Sequence, residues 1–328
     1  MPSSISSSEL LTDEPAVANR RYARGVIAWL VLLTLLLASL ETGTRIAFRH
    51  ASHIESRIAS EYVEAVSIRP GSGGRPTILL LGNSLLHEGV DIERMQQLMA
   101  PRARVVRFVI ESTDYLDWLY GIQGLLARGS RPDVIVLCLN TQQLRSNDIR
   151  GDYSSYYLFA PRDIPAVARE VHYDLTQTSS LYFAHYSLFY AARNNIRNFV
   201  LGHVDPPYGN LLFELQPVPS VLPPAGQIEQ MAEVRLRRLR LAADAYGARF
   251  VFLFPPGFMA GENEIVTAGA KTGTTVMAPI HTGALPEGDF RDGFHLNAHG
   301  RSIFTDALGA ALQRYLGTQT RSDGTRQR

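Results

Sequence analysis

Cysteine is almost missing from this chain: the one thiol, Cys138, has no partner for an intramolecular disulfide. Its place in Val134-Ile135-Val136-Leu137-Cys138-Leu139 makes it a small buried hydrophobe and leaves the redox compartment open. Excess charge of either sign is missing too. With 32 Lys and Arg against 31 Asp and Glu the net charge is +1, so there is no global basic field, and nucleic acid is not expected as a partner. The glycine-rich stretch Arg69-Pro70-Gly71-Ser72-Gly73-Gly74-Arg75-Pro76 lacks a following Gly-Lys-Ser/Thr and enters a strand, which makes it a linker and not a phosphate loop. No His-Glu-x-x-His occurs. His295 and His299 stand four apart without a third ligand at matching spacing, so neither a metal nor another cofactor is expected.

What is present begins with 45% hydrophobic and 19% charged side chains over 328 residues, enough for one sizeable core with appendages and too apolar for disorder throughout. Gly25 to Leu40 carries no charge, and Tyr22 to Thr44 around it reaches the roughly 20 residues a spanning helix needs. Residues 22–44 are therefore predicted to be a transmembrane anchor. Arg20, Arg21 and Arg24 precede the run, whereas Glu41 and Arg45 follow it. The positive-inside rule then makes residues 1–21 a cytoplasmic tail and puts the rest outside the cell (inner) membrane, on the periplasmic or extracytoplasmic side. A cleaved signal peptide is the alternative. The run is longer than a usual h-region, and its small-residue site, Leu37-Ala38-Ser39, is embedded within it.

The serine-rich first nineteen residues read as disordered. Ile46, Ile54, Ile58, Tyr62 and Val66 recur at helical spacing, predicting a stalk that lifts the domain off the bilayer, with stalk and linker together over 45–75. From Thr77 strands (77–81, 103–110, 133–139, 249–254) alternate with helices (near 91–99, 113–128, 227–246, 297–315). Alternation of apolar strands with helices implies a parallel sheet covered on both faces. An aromatic-rich insertion at about 145–226 breaks the rhythm; it is free to pack on the sheet, cover a site or touch lipid headgroups. Arg235, Arg237, Arg238 and Arg240 read as a solvated face. Residues 317–328 read as a disordered tail.

Ligands of parallel α/β sheets gather at the carboxyl ends of the strands. Gly82-Asn83-Ser84 stands at that edge after the first strand, where the glycine allows a sharp bend and the serine opens the next helical turn. A hydroxyl is a weak nucleophile until a base takes its proton, and an N-capping role is open to it as well. Near the other end Asp292-Gly293-Phe294-His295 places a carboxylate three residues before an imidazole, in the loop before the last helix. Such a carboxylate fixes the ring's tautomer and stabilises the imidazolium, the part of the third member of a catalytic triad. His87-Glu88 lies close to Ser84, but along its own helical turn, and is assigned rim contacts. No Gly-x-Ser-x-Gly elbow occurs.

Gly82-Asn83-Ser84-Leu85 and Asp292-Gly293-Phe294-His295-Leu296-Asn297 together make residues 76–316 resemble the GDSL/SGNH hydrolase superfamily, whose blocks read Gly-Asp-Ser-Leu and Asp-x-x-His. The resemblance implies Ser84 as nucleophile, His295 as general base, Asp292 as its orienting partner, and the Ser84 N–H as an oxyanion donor. The third block, usually Gly-x-Asn-Asp, falls on Cys138-Leu139-Asn140-Thr141 and implies Asn140 as a side-chain oxyanion donor. The second block supplies a glycine N–H. Here Ile110-Glu111-Ser112-Thr113 has no glycine, and Ser112 is the candidate in its place.

The fold expected is α/β: a three-layer α/β/α sandwich with a mostly parallel, flavodoxin-like sheet, plus one N-terminal transmembrane helix. The function expected is that of an outward-facing serine esterase or O-acyltransferase working through an acyl-Ser84 intermediate, on acyl esters such as those of an envelope or secreted polysaccharide. The alternatives are an SGNH-fold binding or assembly protein of the cell envelope without turnover, and a lipid-directed lipase or thioesterase.

Overall fold

The fold is that of a computed structural model, which describes residues 14–51, 53–70, 74–194, 196, 197, 201 and 221–326. The strands β1 (Thr77–Gly82), β2 (Arg104–Val109), β3 (Val134–Cys138), β4 (Arg249–Leu253) and β5 (Thr275–Met277) form one five-stranded parallel sheet in the order β2-β1-β3-β4-β5. Side chains alternate across a strand, so each strand feeds two cores. Leu79, Leu81, Phe108, Leu137 and Phe252 enter one core, and Ile78, Leu80, Val109, Val136 and Leu253 the other. Helices cover both faces. The α/β class predicted from alternation is the class observed.

Helix α1 (Glu14–Ala51) contains Tyr22–Ala47, a stretch long and apolar enough to cross a membrane, exposed from Tyr22 to Leu40 and covered by the domain at Glu41 and Thr44. Residues 1–13 of the predicted tail lie outside the described residues. Helix α2 (His53–Val66) does not stand off the domain as a stalk. It buries Ile58 and Ala65 in the first core, because β2 is an edge strand whose free backbone groups need partners. Glu61 supplies one: its Oε2 accepts the N–H of Val109 at 3.0 Å, and its Oε1 accepts Arg107 Nη2 at 2.7 Å. Arg57 donates to the Val109 carbonyl at 3.2 Å.

Between β1 and β2 lie α3 (Ser84–Gly89) and α4 (Ile92–Met99), on the second face. Helix α5 (Tyr115–Ala127) follows β2 on the first face and fully buries Trp118, whose Nε1 donates to Thr113 Oγ1 at 2.9 Å. The aromatic insertion is helical: α6 (Thr141–Arg145), α7 (Asp152–Tyr157), α8 (Ile164–Glu170), α9 (Leu175–Tyr186) and α10 (Leu188–Ala191). Its Tyr153, Tyr157, Phe159, Ile164 and Leu181 join the first core. Residues 202–220 of the predicted insertion lie outside the described residues.

Helix α11 (Ala225–Asp244) carries the arginine-rich stretch, and two of those arginines, both half-buried, are bound to the domain. Arg235 donates to the carbonyl of Ser146 at 2.6 Å and lies over the Tyr115 ring at 4.3 Å, while Arg238 pairs with Glu170. Helix α12 (Glu262–Thr272) and the three-residue β5 are additions to the predicted elements. Both give weak sequence signals: β5 is short and half-exposed, and α12 buries only Ile265 and Ala268 among its larger apolar positions. Helix α13 (Ala298–Arg326) buries Phe304, Leu308 and Leu312 in the second core. It continues beyond Gly317, where a polar tail is predicted.

Burial of one ionised group has a measurable consequence. Asp117 on α5 is enclosed, and burial pushes its carboxyl up to about 7, although it accepts the N–H groups of Asp114 at 2.8 Å and Arg150 at 3.0 Å. Burial likewise pushes Asp114 up to about 6. An unfolded aspartate titrates near 3.8. Between those values the two aspartates hold more protons folded than unfolded, so they lower stability as pH rises from about 4 to 7, and His87, held down to about 4, offsets part of this below about 6.5. Thermal unfolding in detergent is expected to show a loss of roughly 2–4 kcal/mol over that window, with a shallower slope in Asp117→Asn. Stability rising over the window contradicts this.

Candidate active site

The order β2-β1-β3 reverses direction at β1, so the loops leaving β1, β2 and β3 converge at the carboxyl edge where such sheets hold ligands. β1 ends in Gly82. The predicted reason, a sharp bend, is not the operative one, since Gly82 is absent from the positive-φ residues. Space decides it: a Cβ there would stand 3.0 Å from the Cys138 carbonyl oxygen and 3.1 Å from Leu86 Cβ. Any side chain would wedge α3 away from β3.

Asn83 is fully buried and joins two loops. Its Oδ1 accepts the Leu85 N–H at 3.1 Å and caps α3, and its Nδ2 donates to the Thr113 carbonyl at 2.8 Å. An aspartate carboxylate could not make the second bond, because it has no proton to give. The carbonyl of Asn83 takes the N–H groups of Leu86 and His87. Among the described residues the Ser84 N–H has no hydrogen-bond acceptor, which leaves it as an open donor at the start of the helix.

His295 reaches this point from 211 positions away: its Nε2 lies 3.0 Å from Ser84 Oγ. The loop that carries it is narrow. Phe290 bridges Leu296 in antiparallel fashion, the Arg291 N–H donates to the His295 carbonyl at 2.8 Å, and Gly293 turns the tip with φ 76°. Asp292 closes the loop from within. Its Oδ1 accepts the N–H groups of Phe294 at 3.0 Å and His295 at 2.7 Å, and its Oδ2 lies 2.8 Å from His295 Nδ1.

Burial raises the Asp292 carboxyl, but the His295 N–H, the His295 ring and the Phe294 N–H outweigh it and hold the group well below the usual aspartate range. Asp292 is therefore an acceptor only. That assigns the proton of a neutral His295 to Nδ1 and leaves Nε2 as acceptor for the Ser84 hydroxyl.

Asn140 begins α6 at the end of β3. It forms a capping box, its Oδ1 accepting the Gln143 N–H at 2.9 Å and its own N–H donating to Gln143 Oε1 at 3.0 Å. With Oδ1 engaged, Nδ2 is the end of the amide left to donate. Asn140 lines a cavity of about 210 Å³ together with Leu85, Phe258, Met259, Gly293 and Phe294, so its walls carry the residues next to Ser84 and His295.

Ser112 follows β2 with φ 59°, in the left-handed region that glycine occupies without strain. It is exposed, and the loop around it is pinned. Thr113 Oγ1 donates to the Ile110 carbonyl at 2.6 Å, the Thr113 carbonyl accepts Asn83, and Arg150 binds the Glu111 carbonyl. The serine thus holds a glycine-like backbone at the place where a glycine was missed in the sequence. Ser112→Gly is expected to raise unfolding stability by up to about 1 kcal/mol, the left-handed cost of a Cβ less the entropy of the freer unfolded glycine. A fall in melting temperature contradicts that account.

His87 and His299 stand outside the triad. His87 is half-buried, not a rim residue: burial, then Arg57 and Arg107, push its ring down to about 4, so it stays neutral. Glu88 binds Arg301 at 2.8 Å. His299 Nδ1 pairs with Asp289 at 2.7 Å. The segment Pro255–Ala260 after β4, which supplies much of the cavity wall, was missed as a site element. Its signal was Pro255-Pro256-Gly257 at the carboxyl end of a strand.

No family model matches the chain, and no curated protein matches it. Among solved structures, one titled "Crystal Structure of TesA" is similar at 13% identity with a TM-score of 0.35, over 73% of this chain and 98% of that one. At that level the likeness carries nothing about activity.

Proposed function

We propose that the chain is a membrane-anchored serine esterase or O-acyltransferase of SGNH type, with Ser84, His295 and Asp292 as its triad. The observation that carries this reading is the unbroken chain from Ser84 Oγ to His295 Nε2 at 3.0 Å and from His295 Nδ1 to Asp292 Oδ2 at 2.8 Å. His295 takes the hydroxyl proton as Ser84 Oγ bonds to the ester carbon, and the carbonyl electron pair moves to oxygen. The Ser84 N–H, Asn140 Nδ2 and the Ser112 N–H receive that charge. Collapse of the adduct expels the alkoxide, which His295 protonates. Water or an alcohol then gives its proton to His295 as its oxygen bonds to the acyl carbon, and collapse of this second adduct expels Ser84 Oγ, which takes the proton back from His295.

The roughly 210 Å³ cavity favours a short acyl group, since it falls below the roughly 300–1,000 Å³ of sites that bury a drug-sized ligand. With Arg20, Arg21 and Arg24 ahead of the apolar run, the domain faces outward. Acyl groups on an envelope or secreted polysaccharide are the substrate class that suits such a site, by analogy of fold and place alone.

The test is labelling of the full chain in detergent with a fluorophosphonate, together with hydrolysis of p-nitrophenyl acetate and longer esters. Labelling at Ser84 with preference for acetate supports the reading. Preference for long chains favours a lipid-directed enzyme, and an inert serine in both assays favours a binding protein without turnover. Asn140→Ala is expected to lower kcat about 10²- to 10³-fold and, by removing a helix cap, stability by about 1 kcal/mol. Unchanged kcat would take Asn140 out of the oxyanion site.

A further inference from the structure

Helix α9 has two faces. Leu181 and Ala184 are buried, and His185 Nδ1 lies 3.0 Å from the Ser155 carbonyl, so one side rests on the domain. The other side is apolar and open: Leu175 is 83% exposed, Phe183 64% and Tyr186 69%, with Tyr182 beside them. Positions 175, 182 and 186 fall on one helical stripe. Thr178 and Ser179 separate Leu175 from the aromatic end, where Tyr182, Phe183 and Tyr186 cluster, and a cluster of exposed aromatic rings on a folded domain marks a contact surface.

What lies against it is indicated by where α9 ends. The residues just beyond Tyr186 are bound to the anchor helix. Glu41 Oε2 accepts Ser187 Oγ at 2.9 Å and the Phe189 N–H at 3.1 Å, and Glu41 Oε1 accepts the Leu188 N–H at 3.1 Å. Arg45 donates to the same carboxylate at 2.7 Å. Glu41 is the first charged residue after the apolar run that starts at Gly25. A carboxylate paired with an arginine belongs at the hydrocarbon boundary, not within it. These bonds therefore hold the aromatic end of α9 at the level where the anchor leaves the bilayer. Tyrosine suits that level, having an apolar body and a polar tip.

We propose that the Leu175, Tyr182, Phe183 and Tyr186 face of α9 rests in the headgroup layer of the bilayer that holds α1. The domain is then fixed against the membrane at two places, the anchor and this helix, and does not swing freely on a stalk. The proposal rests on the anchor reading and is independent of the ester chemistry.

The single native cysteine is buried, so an introduced thiol carries the only accessible label. Nitroxide is attached to Phe183→Cys, Tyr186→Cys, Leu33→Cys in the span and Val266→Cys on α12, each in the full chain reconstituted into phosphatidylcholine vesicles containing phosphatidylglycerol. Collision with oxygen is compared with collision with a water-soluble nickel chelate. The oxygen-to-nickel ratio at 183 and 186 is expected to be several-fold above that at 266 and below that at 33. A ratio equal to that at 266 overturns the proposal. Suppression of both collisions also overturns it, since a second copy or a partner protein then covers the face. Nickel access at 33 overturns the anchor reading itself. Quenching of Phe183→Trp emission by brominated lipid, above that of the unsubstituted chain, is an independent measurement on a variant that keeps an aromatic ring.

Discussion

Replacing Ser84 by alanine is expected to lower kcat for p-nitrophenyl acetate by about 10⁴- to 10⁶-fold, the range for loss of a nucleophile from a triad, and to abolish fluorophosphonate labelling. Among the described residues the hydroxyl makes one hydrogen bond, to His295 at 3.0 Å, so stability should change by about 1 kcal/mol or less. A large loss of rate with an unshifted melting temperature separates chemistry from folding. His295→Ala should cost nearly as much, and the double variant little more than either, because the two groups act on one proton. If Ser84→Ala keeps more than a tenth of the rate, the acyl-Ser84 route is wrong.

Asp292→Asn is the second large effect, and its direction follows from which oxygen is already engaged. Oδ1 accepts two backbone N–H groups, from Phe294 and His295. An asparagine must keep its carbonyl oxygen there, since its NH₂ cannot face two donors. The NH₂ is then turned toward His295 Nδ1, which becomes an acceptor, and the ring proton moves to Nε2. That nitrogen can no longer take a proton from Ser84. The expected loss is about 10⁴-fold in kcat with the loop intact. Asp292→Ala lacks the misdirecting NH₂, but it also frees both N–H groups and should be the less stable of the two. Equal activity of Asp292→Asn and the unsubstituted chain would remove Asp292 from the mechanism.

Much of this site was legible because it is written in short, contiguous stretches. Asp292 and His295 are joined by local turn geometry, so three residues of sequence contain most of their relationship. Ser84 likewise follows from its place after a strand. Their meeting was implied by the resemblance alone and not by the residues between them: the 211 positions are closed when α13 joins the core under β1 and brings its preceding loop to the carboxyl edge. Ser112 shows the reverse limit. Its residue type hid a backbone conformation that glycine would have advertised, and only φ 59° reveals it.

Apolar periodicity by itself determined the parallel α/β class, the anchor-length helix and the central strands, because burial on two faces leaves a continuous hydrophobic run in the chain. Tertiary structure alone decided that α2 seals the β2 edge instead of standing as a stalk, that Arg235 and Arg238 bind the domain, and that α9 ends against Glu41. The physical reason is common to all three. A charged or polar side chain looks the same in sequence whether it meets water or a distant backbone group, and only the fold supplies the partner.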